Sequence, residues 1–113
     1  MTQPPPALTA AEFQVLLALA DGEKHGYAIG KEIAARTDGK VELRAATLYT
    51  VIKRLLANGF IDEDAARPDP ELDDERRRYY RLTMGGRRAA EDEVRRLEAI
   101  AKQARTKLRL RKA

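Results

Sequence analysis

The strongest constraint on this chain lies towards its C-terminal end. Ala90, Val94, Leu97, Ala101, Ala104 and Leu108 follow a 4-3-4-3-4 spacing, with Ile100 beside the seam. That spacing belongs to a helix packing along another helix. Thr83 is a cap candidate, and the helix is expected to start near Met84 and to reach Leu110, about 40 Å at the usual rise. Only about eighty other residues remain to cover it, a domain too small to bury such a face along its length. A partner subunit is the natural cover, so these seven residues are expected to form a homodimer interface.

A chain of 113 residues suits one domain. Hydrophobic residues make up 43% of it and charged residues 35%, enough for a modest core that partner burial would help. There is no cysteine, which excludes a disulfide framework, a Cys-ligated zinc site and a thiol nucleophile. Met1 to Pro6 lack the basic start and long apolar run of a signal peptide. No stretch approaches the length of a transmembrane helix. The expectation is a soluble cytoplasmic protein with no membrane partner.

The formal charge of +4 is unevenly spread. Residues 60–75 carry one Arg and eight acids, whereas residues 95–113 carry eight Lys/Arg and one acid. A basic tail can attract a polyanion through counterion release, and it equally suits a solubilising surface.

Residues 1–8 are expected to be flexible. Thr9 with Glu12 forms a capping-box pattern ahead of Phe13, Leu16, Leu17, Leu19 and Ala20, and Gly22 is expected to end that helix. A second helix is expected from Gly26 to Arg36, with Tyr27, Ile29 and Ile33 spaced for partial burial. Asp38-Gly39 is a turn signal. Val41 to Leu43 alternate as a small edge strand. A third helix is expected from Ala45 to Ala57, burying Leu48, Ile52, Leu55 and Leu56, with Asn58-Gly59 as its C-cap. Phe60-Ile61 open a strand, Arg78 to Leu82 return, and residues 62–77 form a long hairpin loop. Helix, helix, minor strand, helix, hairpin and long helix make a mainly α fold with a small β-hairpin. The order matches a winged helix-turn-helix over residues 9–83 followed by a dimerisation helix over 84–110.

The third helix is the candidate reader of DNA. With Leu48, Ile52 and Leu55 inward, Thr47, Thr50, Lys53 and Arg54 point outward, and Arg44 lies near the N-terminus. Such a helix enters the major groove N-terminus first, where short polar residues approach base edges and cations reach phosphate or bases. A solvated helix face carrying ordinary cations would look the same. Arg76, Arg77 and Arg78 stand at the returning base of the hairpin and could reach the minor groove or backbone. Glu71, Asp73, Asp74 and Glu75 weigh against the hairpin tip entering a groove. Tyr79 and Tyr80 face opposite sides of a strand, and Tyr80 is assigned to packing. Tyr49 is expected to brace the third helix against the long helix. His25, the only histidine, beside Gly26 and Tyr27, suits a structural role at a helix start, because a metal site wants further imidazoles or thiolates. Gly85-Gly86 suit close backbone packing or a flexible helix start. No cofactor loop, metal cluster or activated nucleophile is visible, so no cofactor, no metal and no enzymatic step are expected.

Four segments resemble one family. His25-Gly26-Tyr27-Ala28-Ile29 is similar to the His-Gly-Tyr-x-Ile signature of PadR-like transcriptional regulators. Ala46 to Leu55 resembles their Gly-x-Leu-Tyr-Pro-x-Leu-x-x-Leu recognition helix. Asn58 to Ile61 resembles the turn into the wing, and Arg78 to Arg87 the segment joining the wing to the last helix. Ala46 stands where Gly is usual and Thr50 where Pro is usual, both tolerated in a helix. The acidic hairpin is longer than the common short basic wing. The resemblance implies a winged-helix repressor that binds double-stranded DNA as a homodimer through its C-terminal helix, in the compact branch with one such helix. It also implies a small aromatic or hydrophobic effector as a candidate partner. The competing reading is a winged-helix protein-interaction module without DNA recognition, which the acidic hairpin favours.

Overall fold

The computed structural model describes residues 7–64 and 78–110. The elements are α1 (Ala10–Ala18), β1 (Lys24–His25), α2 (Gly26–Arg36), α3 (Ala45–Ala57), β2 (Ile61–Asp64), β3 (Tyr79–Leu82) and α4 (Met84–Leu108). The chain is mainly helical with a small antiparallel sheet, a winged helix-turn-helix continued by one long helix.

α1 starts at the capping box. Thr9 Oγ1 accepts from the Glu12 amide at 3.1 Å, and Glu12 Oε1 accepts from the Thr9 amide at 2.7 Å, which satisfies donors the helix start would otherwise leave open. The helix stops at Ala18 rather than running to Gly22. Gly22 instead supplies a φ of +147° to the turn that follows.

The core forms where α1, α2 and α3 meet. Val15, Leu16, Ile29, Ile33, Leu48, Val51, Ile52 and Leu55 are each at most 4% exposed. Val51, not expected on the buried side of α3, is inside, and Leu56, expected there, is only partly covered. Tyr27, expected to share the partly buried face of α2, is 51% exposed. At about 100° per residue it lies well away from the direction shared by Gly26, Ile29 and Ile33.

The minor strand is not Val41 to Leu43. Those residues form no strand; Thr37 Oγ1 holds the Val41 amide at 3.1 Å and ties the segment to the end of α2. β1 fills the place instead. β3 is the central strand of a sheet ordered β1-β3-β2, pairing Lys24 with Tyr80 on one edge and Glu63 with Tyr80 on the other. With β1 and β2 on its two sides, β3 has no edge left for residues 41–43. β2 also extends to Asp64, so the hairpin strand is longer than Phe60-Ile61 indicated. Tyr80 is buried in the core and Tyr79 packs its ring against His25, centroids 3.8 Å apart.

Asn58 caps the C-terminus of α3, and Gly59 at φ +75° reverses the chain. The Phe60 amide reaches Leu55 O at 3.0 Å and the Gly59 amide Leu56 O at 3.1 Å, which is the Schellman arrangement. The same turn receives α4. Thr83 Oγ1 accepts from the Gly86 amide at 3.0 Å and donates to Gly59 O at 2.7 Å. A Cβ on Gly86 would fall 1.9 Å from Phe60 O, so the glycine there serves close backbone packing. Ala89 and Ala90 then pack on the core. Glu93 is 5% exposed and is held by Arg96 Nε at 2.9 Å and by the Leu8 backbone. The Arg96 hydrogen bond holds its carboxyl below the usual range, against the opposing effect of burial. Beyond Glu93 no residue of α4 is buried. No helix among the described residues is long and apolar enough to cross a membrane.

Candidate nucleic-acid interface

Because Leu48, Val51, Ile52 and Leu55 fix the inward side of α3, its outer side is determined by helical phase. Thr47, Thr50, Lys53 and Arg54 are exposed there, and Arg44, just ahead of the helix, is exposed as well. Arg44 occupies the N-cap without a side-chain capping hydrogen bond. Ala45 and Ala46 beside it are also exposed, so the first turn of α3 is open to close approach. Thr50 spends its hydroxyl proton on Ala46 O at 2.8 Å, which leaves its methyl and an acceptor lone pair facing out.

Arg54 differs from its neighbours. Its Nε stands 3.5 Å from Glu12 Oε2, and Glu12 is almost entirely buried. One carboxylate therefore closes the capping box of α1 and ties α3 to it. Sequence spacing could not show this tie, because residues 12 and 54 meet only through the fold.

Gly26 explains the His-Gly-Tyr signature. A Cβ there would sit 2.7 Å from Tyr49 Oη, so only glycine admits the tyrosine ring against the start of α2. Tyr49 thus packs against the start of α2, and α4 packs on α1. His25 is the N-cap of α2 without a side-chain capping bond, its ring on Tyr79. Among the described residues no group of His, Cys, Asp or Glu could hold a metal ion.

Of the hairpin arginines, Arg78 is exposed and its Nη1 lies 3.1 Å from Glu63 Oε1. Arg76, Arg77 and the acids Glu71, Asp73, Asp74 and Glu75 lie outside the described residues. On α4, Val94, Leu97, Ile100 and Leu108 are 40–67% exposed, and Ala90, Ala101 and Ala104 are partly covered.

Residues 15–92 match the sequence profile of the transcriptional regulator PadR-like family. The chain belongs to that family. Its members are regulators rather than enzymes, and the winged helix-turn-helix is their DNA-binding fold. An uncharacterised protein of Lysinibacillus sphaericus is 33% identical over 73 residues, covering 65% of this chain and 64% of that protein. The matched part is thus less than two thirds of that relative. A transcriptional regulator from Clostridium thermocellum superposes with a TM-score of 0.71 at 28% identity, covering 84% of this chain and 89% of the other. Bacillus subtilis PadR, solved in complex with operator DNA, has the same fold, with a TM-score of 0.66 at 22% identity over 76% of this chain and 47% of that one.

Sequence reasoning missed the residues that border α3 from α2 and the preceding loop. Lys31 and Ala34 share the α2 face that begins at Tyr27, at i+4 and i+7, a spacing that would have marked them as neighbours.

Proposed function

We propose that this PadR-like regulator is a homodimeric repressor that binds a roughly palindromic operator in double-stranded DNA. The observation that carries the reading is the outer face of α3, which presents Thr47, Thr50 and Lys53, with Arg44 exposed just ahead of it, while its inner face is locked in the core. Thr47 and Thr50, near the N-terminus of the helix, read base edges or thymine methyls. Arg44, Lys53 and Arg54 contact phosphate, with Arg54 oriented by Glu12. Arg76, Arg77 and Arg78 add backbone contacts beside the hairpin. Two α3 helices, held apart by paired α4 helices, sit in successive major grooves about one helical turn apart. The solved complex of Bacillus subtilis PadR with operator DNA, a protein of the same fold, supports this use of the domain. An operator-binding protein works where the chromosome is, so its place is the cytoplasm. A small aromatic or hydrophobic effector that lowers operator affinity belongs to the same reading.

The test uses operator selected from genomic fragments and a scrambled duplex, at one fixed salt concentration. Alanine at a base-reading position, Thr47 or Thr50, is expected to cost about 1–3 kcal/mol on operator and much less on the scrambled duplex. Alanine at Lys53 is expected to weaken both alike and to lower the salt slope by about one unit. Circular dichroism checks that each variant is folded. If folded variants at Thr47, Thr50, Lys53 and Arg54 all bind operator like the parent, α3 is not the reader and a protein-interaction module is the better account.

A further inference from the structure

Among the described residues two charged side chains are buried, Glu12 at 9% and Glu93 at 5% exposure, and both meet the start of α1. A buried carboxylate is costly unless it is paired or hydrogen-bonded, so the partners of these two show what they hold together. Glu12 accepts from the Thr9 amide at 2.7 Å and stands 3.5 Å from Arg54 Nε on α3. Glu93, on α4, is held by Arg96 Nε at 2.9 Å and by the Leu8 backbone just ahead of α1. The far end of α1 is tied to α4 as well. Arg87 Nη2 donates to Ala20 O at 3.1 Å in the turn that follows α1. Arg87 and Glu93 are about 9 Å apart along the axis of α4, and Ala89 and Ala90 between them pack on the core. The bond from Thr83 to Gly59 and the close approach of Gly86 to Phe60 fix where α4 begins. They act in its first turn and leave its direction to the contacts further along.

We propose that α1 is a coupling bar, clasped to α4 by Arg87 and Glu93 and to α3 by Glu12, which fixes the angle between α3 and α4 and so selects the half-site spacing that the protein accepts. Arg87, Glu93 and Glu12 are then positioning residues for operator choice that do not themselves touch DNA. The proposal rests on the operator reading above, in which paired α4 helices hold two α3 helices apart. A helix tied at its start alone can swing, whereas ties at two further heights fix its direction. α4 runs about 22 Å past Glu93 to Leu108. A swing of about 15° moves that far end by about 6 Å, close to two base-pair rises of about 3.4 Å. Half-site spacing is the geometric quantity that a symmetric dimer reads, so a loosened clasp acts on spacing before it acts on base contacts.

The first experiment takes the full chain without DNA. The protein has no cysteine, so nitroxides at Ala57→Cys on α3 and Gln103→Cys on α4, both exposed positions, report a single distance. Labelled chain is mixed with an excess of unlabelled chain, which keeps that distance within one protomer. Electron–electron resonance should find one narrow distribution for the otherwise unchanged chain. Arg87→Gln with Glu93→Ala should broaden it about twofold, as expected of a released hinge. Glu93→Gln keeps an acceptor for the Leu8 backbone and should stay close to the parent. Circular dichroism checks folding. Should Glu93→Ala fail to fold, Arg87→Gln, at an exposed side chain, is measured alone and should still broaden the distribution. An unchanged width in the folded variants would overturn the proposal. Glu93→Gln as broad as Glu93→Ala would overturn the part given to Leu8 and place the tie in the Arg96 pair.

The second experiment measures affinity for duplexes that carry the selected half-sites with base pairs added or removed between them, at one salt concentration. The parent should prefer one spacing by about tenfold or more. The Arg87→Gln/Glu93→Ala variant should bind a duplex with one half-site like the parent, yet hold its preference among spacings to about twofold or less. A purely structural role would weaken binding at every spacing alike, and that result, or an undiminished preference, would overturn the proposal. A parent that binds no duplex, with the label distances responding as expected, would instead refute the operator reading and leave the coupling of α4 to α1 standing.

Discussion

α3 and α4 both carry an apolar stripe, and only one of them is covered. Leu48, Val51, Ile52 and Leu55 of α3 are at most 4% exposed, whereas Val94, Leu97, Ile100 and Leu108 of α4 are 40–67% exposed. α3 lies against α1, α2 and β2, but α4 meets α1 and β3 only near its start and then leaves the domain. The same amphipathic pattern therefore has opposite consequences. In α3 the fold uses the apolar side and leaves the polar one exposed. In α4 the apolar side is what remains exposed, as a contiguous stripe rather than scattered surface hydrophobes, which is what the proposed dimer would cover.

The largest expected effect tests the uncovered stripe. Leu97→Asp with Leu108→Asp places two charges per protomer in the proposed seam, which should weaken the dimer by more than about 4 kcal/mol, roughly a thousandfold in its dissociation constant. Sedimentation should find the parent at twice the 12.7 kDa chain mass and the variant as a single chain. A parent that sediments as a monomer at micromolar concentration would remove the contrast between the helices.

Leu55→Ala tests the covered stripe. Its side chain is fully buried, so the change should cost about 3 kcal/mol of folding stability. Chemical denaturation of the monomeric Leu97→Asp/Leu108→Asp background separates this cost from dimerisation. A loss below about 1 kcal/mol there would show that α3 is not held as its burial implies.

A smaller effect concerns the point where α4 leaves the domain. The Glu93 carboxyl is held below its usual range by Arg96, so its stabilising contribution is present above the ordinary carboxylate pKa. It is lost as pH falls through the lowered value. Thermal melts should place the parent above Glu93→Gln at about pH 7, with the gap closing as pH falls below the ordinary carboxylate range. A gap that does not narrow down to the lowest pH at which both proteins stay folded would mean that packing, not the ion pair, holds the start of α4.

The smallest effect sharpens the polar side of α3. Arg54 is half exposed in its pair with Glu12, so a double-mutant cycle with Glu12→Gln and Arg54→Gln should give a coupling of about 0.2–1 kcal/mol in stability. If Glu12→Gln leaves operator affinity unchanged while Arg54→Gln weakens it, Arg54 acts on DNA directly and its tie to α1 is incidental.

The helices were legible because their signals are local. The capping box at Thr9 and Glu12, the glycine after Asn58 and the cap at Thr83 each act within a few residues, and the apolar period of α3 places Thr47, Thr50 and Lys53 opposite its core side. The minor strand was misplaced for the opposite reason. Lys24-His25 and Val41 to Leu43 are both short stretches compatible with a strand, and only the free edge of β3, more than thirty residues away in sequence, selects between them. The anchoring of Arg54 by Glu12, the seating of Tyr49 on Gly26 and the ties of α4 to α1 at Arg87 and Glu93 likewise depend on which elements come to lie side by side.

By itself, then, the sequence determined the order of the helices and the hairpin, the polar side of α3 and the presence of an apolar stripe too long for its own domain. Those properties follow from periodicity and capping, whose range is one or two turns of helix. Only the tertiary structure decided which strand completes the sheet, which cation is tied down and where α4 is fastened to α1. Each of those is a contact between residues distant along the chain, and such contacts exist only once the core has set the distances between α1, α2 and α3.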